Sequence, residues 1–345
     1  MKFWNLTEIK EQNTGMYNPT TQQATEYIKK FPKAGNQTIA KLLIKDHPAL
    51  YNSLDHARIC VRRLRGAAGP EDRKSLKDKS MYTKEAFEKL WNVKEGISEV
   101  MDPYELVGAK KVLYISDVHI PFHDRECLLS ALEYGYKKGV DTIVLNGDIW
   151  DCYSYSRWIK DPRLRRPVEE LEQVRSFLRE LRQNFTNCQI VYKEGNHEER
   201  WSDYLKIKAP EIFEIDEFNL DIIFKLGELK IRWINDRQTI RAGKLLVYHG
   251  HELGQGIFSP VNPARGLFNK VYTTAMMAHS HQPSFHPGKT GKGEIIGTWS
   301  IGCLSNLTPR YRPVNQWIHG FGYQEIESDG TFDFENRKII KGKIV

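Results

Sequence analysis

Side chains able to hold a divalent metal recur at the ends of apolar, strand-like runs in this sequence. "YISDVH" (114–119) closes on Asp117 and His119. "VLNGDIWD" carries Asp148, with Asp151 behind it, and "YKEGNHEER" carries Asn196 and His197. "LLVYHGHE" brings His249, and "MMAHSHQP" brings His279 and His281. A strand alternates its side chains, so Asp117 and His119, two positions apart, are expected on one side of a sheet. A single Asp-X-His pair carries little weight. Five strand ends bearing carboxylate, imidazole or amide carry more, because ligands collect at the carboxyl ends of strands in α/β sheets. Oxygen and imidazole donors without thiolates suit Mn, Fe, Zn or Ni rather than Ca or an iron–sulfur cluster. The set exceeds the needs of one ion. Two ions sharing a bridging carboxylate would use all of it, and such a pair clamps the attacking and phosphoryl oxygens in phosphoester hydrolysis.

The elements that must position these residues follow from patterning. From residue 109, "KKVLYISDVH", "DTIVLNGD" and "QIVYKEGNHE" read as buried strands, separated by the helical stretches "RECLLSALEYGYKKG" and "VEELEQVRSFLRELRQNF". Strand–helix alternation predicts an α/β layered domain with parallel pairing. "LKIRWIND", "QTIRAGKLLVYHGH", "EIIGTWSIGC" and "GYQEIESDGTFDFE" are strand-rich and suggest a second sheet packed on the first.

The first eighty residues differ. Three helices are expected: "TTQQATEYIKKF" (20–31), capped by its threonines; "NQTIAKLLIKD" (36–46), capped by Asn36 and ended by Pro48; and "SLDHARICVRRLRG" (53–66), capped by Ser53 and stopped by Gly66. Ala57, Val61 and Leu64 form the inner stripe of the third, and Arg58, Arg62 and Arg65 follow the same spacing one position round. Three short helices with an arginine face look like a helix-turn-helix module that contacts DNA or RNA. A plain helical bundle with a solvated arginine face is the other reading. The polar, Lys-rich "GPEDRKSLKDKSMYTKE" (69–85) reads as a linker, and "KEAFEKLWNV" as a connecting helix. The expected organisation is a helical domain over 1–80, a connection over 81–108 and a catalytic domain over 109–345.

Composition sets the bounds. The chain has 345 residues, 40% hydrophobic and 28% charged, which is ordinary for a globular protein large enough for one core and a smaller domain. Five dispersed cysteines without a CxxC pair, and a start without a signal-peptide pattern, point to reduced thiols in a cytoplasm. No apolar run approaches the length of a membrane span. A net charge of +7 permits an anionic partner without demanding one. Nothing fixes an oligomeric state.

Taken in order, Asp-X-His, Gly-Asp-X-X-Asp, Gly-Asn-His-Glu, His-Gly and His-X-His resemble the calcineurin-like metallophosphoesterase superfamily over residues 110–285. The resemblance implies a two-sheet β-sandwich flanked by helices, here with the small all-α domain in front. It implies that Asp117, His119 and His281 hold one metal ion, that Asn196, His249 and His279 hold a second, and that Asp148 bridges them. It implies that His197 protonates the leaving oxygen after a metal-bridging hydroxide attacks phosphorus. Manganese is the expected metal, with Fe, Zn, Ni and Mg as alternatives. Two departures stand out. Ala278 replaces the glycine usual before His-X-His, and "GDIWDCY" lacks the arginine of the protein phosphatase branch, which points toward bacterial and phage-type members.

Other residues leave choices open. Arg200 could bind a substrate phosphate or pair with Glu198 or Glu199. His123, Arg310 and Arg312 are candidate substrate contacts, the last two in "PRYRP" (309–313). Asp151 is expected to orient a ligand, His251 to be a hydrogen-bonded bystander, and Trp150, Trp158 and Trp201 to be core. The expected function is a phosphodiesterase acting on DNA or RNA. A nucleotide or cyclic-nucleotide phosphoesterase with an assembly domain is the alternative, and a non-catalytic nucleic-acid binder a third.

Overall fold

The computed structural model describes residues 18–66, 94–96, 101–254 and 261–345. The chain divides into two compact units, Met1–Ser98 and Glu99–Val345. In the first, α1 (Pro19–Lys30), α2 (Asn36–Asp46) and α3 (Leu54–Leu64) surround a small apolar centre of Ala24, Ile39, Ala40, Leu43, Tyr51, Ala57 and Val61. Local chemistry sets the helix ends. Asn18, not a threonine, caps α1: its side chain accepts from Thr20 N, with Pro19 preset for the first helical position. Gly35 precedes α2, so Asn36 lies inside the helix, and its amide oxygen accepts from Arg65 Nη1 at 2.9 Å instead of capping. Ser53 caps α3 as expected, accepting from His56 N at 3.1 Å.

The second unit contains two sheets. In one, β2 (Lys111–Ile115), β3 (Thr142–Asn146), β4 (Gln189–Lys193) and β5 (Ile231–Ile234) run parallel as neighbours. Beyond β2 the sheet continues antiparallel through β11 (Gly320–Ile326), β12 (Phe332–Ile340) and β13 (Lys343–Ile344). The other sheet orders β1 (Tyr104–Glu105), β6 (Ile240–Ala242), β7 (Leu245–Val247), β8 (Ala275–Met277), β10 (Ile295–Ser300) and β9 (Ser284–Lys289). Two-residue alternation sends Val112, Tyr114 and Val144 toward the second sheet, where they meet Ile240, Val247 and Met276. It sends Leu113, Ile115, Ile143 and Leu145 outward onto Val174, Leu178 and Leu181 of a long helix, α5 (Pro167–Asn184), beside α4 (Arg125–Lys138). Burial on both faces is why these strands read as continuous apolar runs. The result is the two-sheet, helix-flanked architecture expected from the sequence.

Several elements differ from expectation. "QIVYKEGNHE" is strand only to Lys193; the chain turns at Glu194–Gly195 and a helix, α6 (Asn196–Lys208), begins at the asparagine. The short helix α7 (Leu220–Ile223), helix α8 (Pro263–Val271) and strand β9 carry patterns too short or irregular to stand out in the sequence. Strand β1 falls inside the segment read as a connection. The expected linker 69–85 and the helix over "KEAFEKLWNV" lie outside the described residues.

Candidate metal centre

The residues singled out at strand ends lie just past them. β2 stops at Ile115 and β3 at Asn146, so Asp117, His119 and Asp148 occupy the following loops. The alternation argument for Asp117 and His119 therefore fails. They share a side because each adopts a left-handed backbone conformation, with φ of 51° and 54°. Asp148 (54°), His279 (59°) and His281 (58°) do the same. Positive φ is uncommon for residues with a Cβ, though tolerated best by Asn, Asp and His, and such residues concentrate at functional sites. The loops hold one another in place: Asp117 N donates to Gly147 O at 3.1 Å, and His119 N to Asp148 O at 2.9 Å.

Two glycines permit the convergence. A Cβ on Gly147 would sit 2.4 Å from His249 Nδ1, and one on Gly195 would sit 2.4 Å from Asp148 Oδ1. No side chain fits at either position, so both Gly-Asp and Gly-Asn are steric requirements of close approach.

All seven expected ligands come together in clusters joined by Asp148. Asp117, His119 and His281 form one, and Asp148, His249 and His279 another, with ligand atoms of each mutually within 4.8 Å. His281 Nε2 is 3.1 Å from Asp117 Oδ1 and 3.3 Å from His119 Nε2. Asp148 Oδ2 lies 3.8 Å from His119 Nε2 and 3.4 Å from His249 Nε2, and Asn196 Oδ1 is 3.3 Å from His249 Nε2. Ala278 leaves both neighbouring histidines in place and donates its backbone N–H to His249 O at 2.8 Å.

The donor geometry fits cations. His249 Nδ1 lies 2.7 Å from the carbonyl of Asn146, which can only accept, so the ring donates there and, once its Nε2 proton is displaced, presents a lone pair at Nε2. That lone pair faces two further acceptors, Asn196 Oδ1 and Asp148 Oδ2. His119 is arranged likewise: its Nδ1 is 3.1 Å from Asp151 Oδ2, which turns Nε2 toward His281 and Asp148. Asp151 is placed to orient this candidate ligand, as a carboxylate behind a metal-binding histidine does. The electrostatics make the same demand. Burial opposes charging His249, yet Asp148, Asp117 and Glu252 hold its pKa up at about 10. Burial likewise disfavours an ionised Asp148, and the surrounding histidines nevertheless keep its pKa well below the usual carboxylate range. Converging buried acceptors that call for positive charge suit divalent metal ions.

Three buried groups that the sequence reading missed hold this arrangement. Glu198 is fully buried; its Oε2 accepts from Asp148 N (2.9 Å) and Gly195 N (3.0 Å). Its Oε1 accepts from Ile149 N (2.8 Å), Trp150 N (2.9 Å) and the Tyr192 hydroxyl (2.7 Å). Glu252 accepts from His249 N at 3.0 Å and Gly250 N at 2.6 Å, and its Oε1 is 3.2 Å from Lys193 Nζ. Lys193 has no solvent exposure and also donates to the carbonyls of Asp236 (2.9 Å) and Gln238 (3.1 Å). A lysine inside an apolar strand was the one available signal.

The remaining candidates divide. His197 forms a further group with His119 and Asp148, ligand atoms mutually within 4.8 Å, and its Nδ1 lies 2.9 Å from Asp151 O. Arg200 pairs with neither Glu198 nor Glu199: Nη2 donates to His197 Nε2 at 2.8 Å and Nη1 to Asp151 O at 2.9 Å. His251 lies near His249, ring centroids 5.3 Å apart and the rings tilted, and among the described residues it belongs to none of the groups that could hold an ion. His123 is half-buried, its backbone bridged to Ser305, and burial lowers its pKa. Arg310 and Arg312 are exposed, and Arg310 is 3.2 Å from Asp161. Trp150 is core and Trp201 donates Nε1–H to Phe218 O at 2.7 Å, but Trp158 is 67% exposed, contrary to expectation. Trp317, unremarked in the sequence, lies with its ring 4.2 Å from that of His281. In the first unit the arginine face is broken. Arg58 pairs with Asp55 at 3.1 Å, Arg62 is exposed, and Arg65 folds back to donate to the carbonyls of Phe31, Pro32 and Ala34 between α1 and α2.

Comparison with known proteins agrees with this chemistry. The chain is 28% identical over 219 residues to the Gene 54 protein of Mycobacterium phage L5, covering 58% of this chain and 81% of that one. It is 26% identical over 233 residues to the Gene 54 protein of Mycobacterium phage D29, covering 64% and 91%. Among solved structures, YfcE, a phosphoesterase from E. coli, aligns at 14% identity with a TM-score of 0.30, covering 66% of this chain and 98% of that one. Residues 110–320, a span holding every ligand candidate described above, match the family model of the calcineurin-like phosphoesterases. The chain belongs to that family and is a metal-dependent phosphoesterase.

Proposed function

We propose that this protein is a two-metal phosphodiesterase acting on nucleic acid in the cytoplasm. In this reading Asp117, His119 and His281 hold one ion, Asn196, His249 and His279 a second, and Asp148 is shared. Manganese is the proposed metal, one of several that oxygen and imidazole donors suit. When bound, the ions supply Lewis-acid neutralisation of phosphoryl charge and an activated water. The observation that carries the reading is the position of Asp148, whose Oδ2 faces His119 on one side and His249 on the other.

The chain's own residues supply the rest. His197 Nδ1–H is fixed on Asp151 O, so Nε2 is the atom that exchanges a proton with a departing alkoxide. Arg200 donates to that Nε2. A substrate phosphate that drew the guanidinium to itself would leave Arg200 holding the phosphate oxygens and free the Nε2 lone pair to take a proton from water, which it then gives to the departing alkoxide. The second unit carries out the catalysis, and the N-terminal unit, whose residues 18–66 include helices α1 to α3, presents the polynucleotide. A net charge of +7 supports a polyanionic partner.

The test is a Mn(II)-dependent substrate panel: bis-p-nitrophenyl phosphate, p-nitrophenyl phosphate, cyclic nucleotides, DNA and RNA. Turnover of the diester and scission of a polynucleotide are expected. Hydrolysis of cyclic nucleotides or monoesters with polynucleotides left intact would replace the proposal with the small-molecule reading.

A further inference from the structure

Beside the metal centre, two loops carry exposed rings and cations that neither fold nor catalysis uses. The first, residues 153–166 between β3 and α5, holds five cationic residues and one acid, Asp161. At its crest Trp158 and Ile159 are 67% and 104% exposed, and the Arg157 guanidinium lies 5.3 Å above the Trp158 ring. The second, residues 307–317, carries Arg310, Tyr311 and Arg312, with Tyr311 73% exposed.

These loops are joined to each other and to the site. Asp161 is 2.7 Å from Arg163 and 3.2 Å from Arg310, so the lone acid of the first loop ties it to the second. Tyr311 meets Trp317 edge-on at 6.3 Å, and Trp317 lies against His281. At the other root of the first loop, Tyr153 packs against Phe122 at 5.5 Å, and Tyr153 N is held by Glu170 Oε1 at 2.8 Å. A path of aromatic and guanidinium groups therefore runs from a candidate metal ligand to the exposed crest.

Exposed large rings have a hydrophobic cost unless something covers them, and cations spaced between rings match phosphates spaced between bases. Duplex DNA hides its base faces, so it would leave Trp158 and Tyr311 without a stacking partner. A single strand offers a π-face and a phosphate at each nucleotide. We propose that loops 153–166 and 307–317 form a rim that binds single-stranded polynucleotide and leads it to the metals. Trp158 and Tyr311 stack on bases, and Arg157, Arg310 and Arg312 contact phosphates. This rests on the phosphodiesterase reading for its destination, but not for its chemistry.

The test uses the full chain in EDTA, so binding is read without cleavage. A 5-iodouridine single strand is photo-cross-linked to the protein and the labelled peptides are mapped. Label within 153–166 or 307–317 is expected, on DNA and RNA versions alike. By fluorescence anisotropy, Trp158→Ala and Tyr311→Ala should each weaken single-strand binding roughly 5- to 150-fold, from ordinary base–aromatic stacking energies. Trp158→Phe should recover most of the loss, and Tyr136→Ala, a 70% exposed ring elsewhere, should change nothing. Label confined to other peptides, unchanged affinity in both alanine variants, or duplex bound as tightly as single strand would each overturn the rim. Turnover of bis-p-nitrophenyl phosphate by the unaltered protein judges the phosphodiesterase reading separately. Turnover without rim labelling sinks the rim alone, and rim labelling without turnover sinks the reaction alone.

Discussion

Glu198→Gln tests how the buried scaffold holds Asp148. The wild-type carboxylate accepts five hydrogen bonds and donates none. Glutamine keeps one acceptor oxygen and puts an NH2 group in place of the other. The less disruptive orientation leaves Oε1 with its three donors and sets the amide against Asp148 N and Gly195 N. Two buried N–H groups then lose their acceptor, at about 1–3 kcal/mol each, so destabilisation of roughly 2–6 kcal/mol is expected. A domain's total stability is about 5–15 kcal/mol, so the variant should fold but unfold at lower urea. Because the lost contacts are to the backbone of Asp148 and its neighbour, metal affinity should also fall by about 10- to 100-fold, as for other groups that orient ligands. Urea titration at fixed pH gives the first quantity and Mn(II) calorimetry the second. A loss of stability below about 0.5 kcal/mol, or unchanged Mn(II) affinity, would show that Glu198 does not set the position of Asp148.

His197→Ala should keep its metals and lose on the order of 10²–10⁴-fold in turnover of diesters with poor leaving groups, and much less with p-nitrophenolate; equal losses on both would remove His197 as the acid. Mn(II) should bind at two ions per chain and raise the melting temperature, since a ligand present at 100 times its Kd adds about 2.7 kcal/mol per site; Asp148→Asn should abolish that rise. Burial raises the Glu170 pKa to about 7, against an ordinary value of 4.5. The folded state then binds the extra proton between those values, so its contribution to stability is full below pH 4.5 and fades as pH rises to 7; Glu170→Gln should flatten that stretch of the stability–pH curve relative to wild type. Arg65→Ala should destabilise the helical unit by about 1–3 kcal/mol, read as faster amide exchange across α1–α3, because the carbonyls of Pro32 and Ala34 lose this donor.

What was legible in the sequence was what repeats locally. The doubly buried strands β2, β3 and β4 announce themselves as apolar runs, and α4 and α5 by their periodicity, so both the layered fold and the strand ends bearing ligands could be read. Asp117, His119, Asp148, Asn196, His249, His279 and His281 stood out as candidates because metal-binding residue types are rare in such places. Their backbone state was not. Positive φ at a ligand is decided by the opposite loop, as when Asp117 N reaches Gly147 O, and no local pattern encodes it. α6 was misread because a strand and a helix meet at Gly195 without a side-chain cap, and the carboxylate that holds the turn, Glu198, comes three residues later. Arg65 was placed on a solvent face by spacing alone, but its partners lie 29 to 34 residues away.

The two kinds of missed residue have one cause. A site made of converging acceptors and left-handed backbones is unfavourable by itself, since like groups repel and the loops resist their conformation. Other parts of the fold must offset that cost with contacts that do not depend on the ions. Glu198 does this for the loop after β3, and Lys193 with Glu252 does it for the loop after β7, each through buried charge-assisted hydrogen bonds to backbone. Both anchors come from the turn that opens α6 and its preceding strand or from the stretch just after His249, so the ligand motifs and their supports are interleaved in sequence. The glutamate of Gly-Asn-His-Glu is therefore as much a part of the centre as the asparagine before it, holding the backbone of Asp148 through its hydrogen bond to Asp148 N.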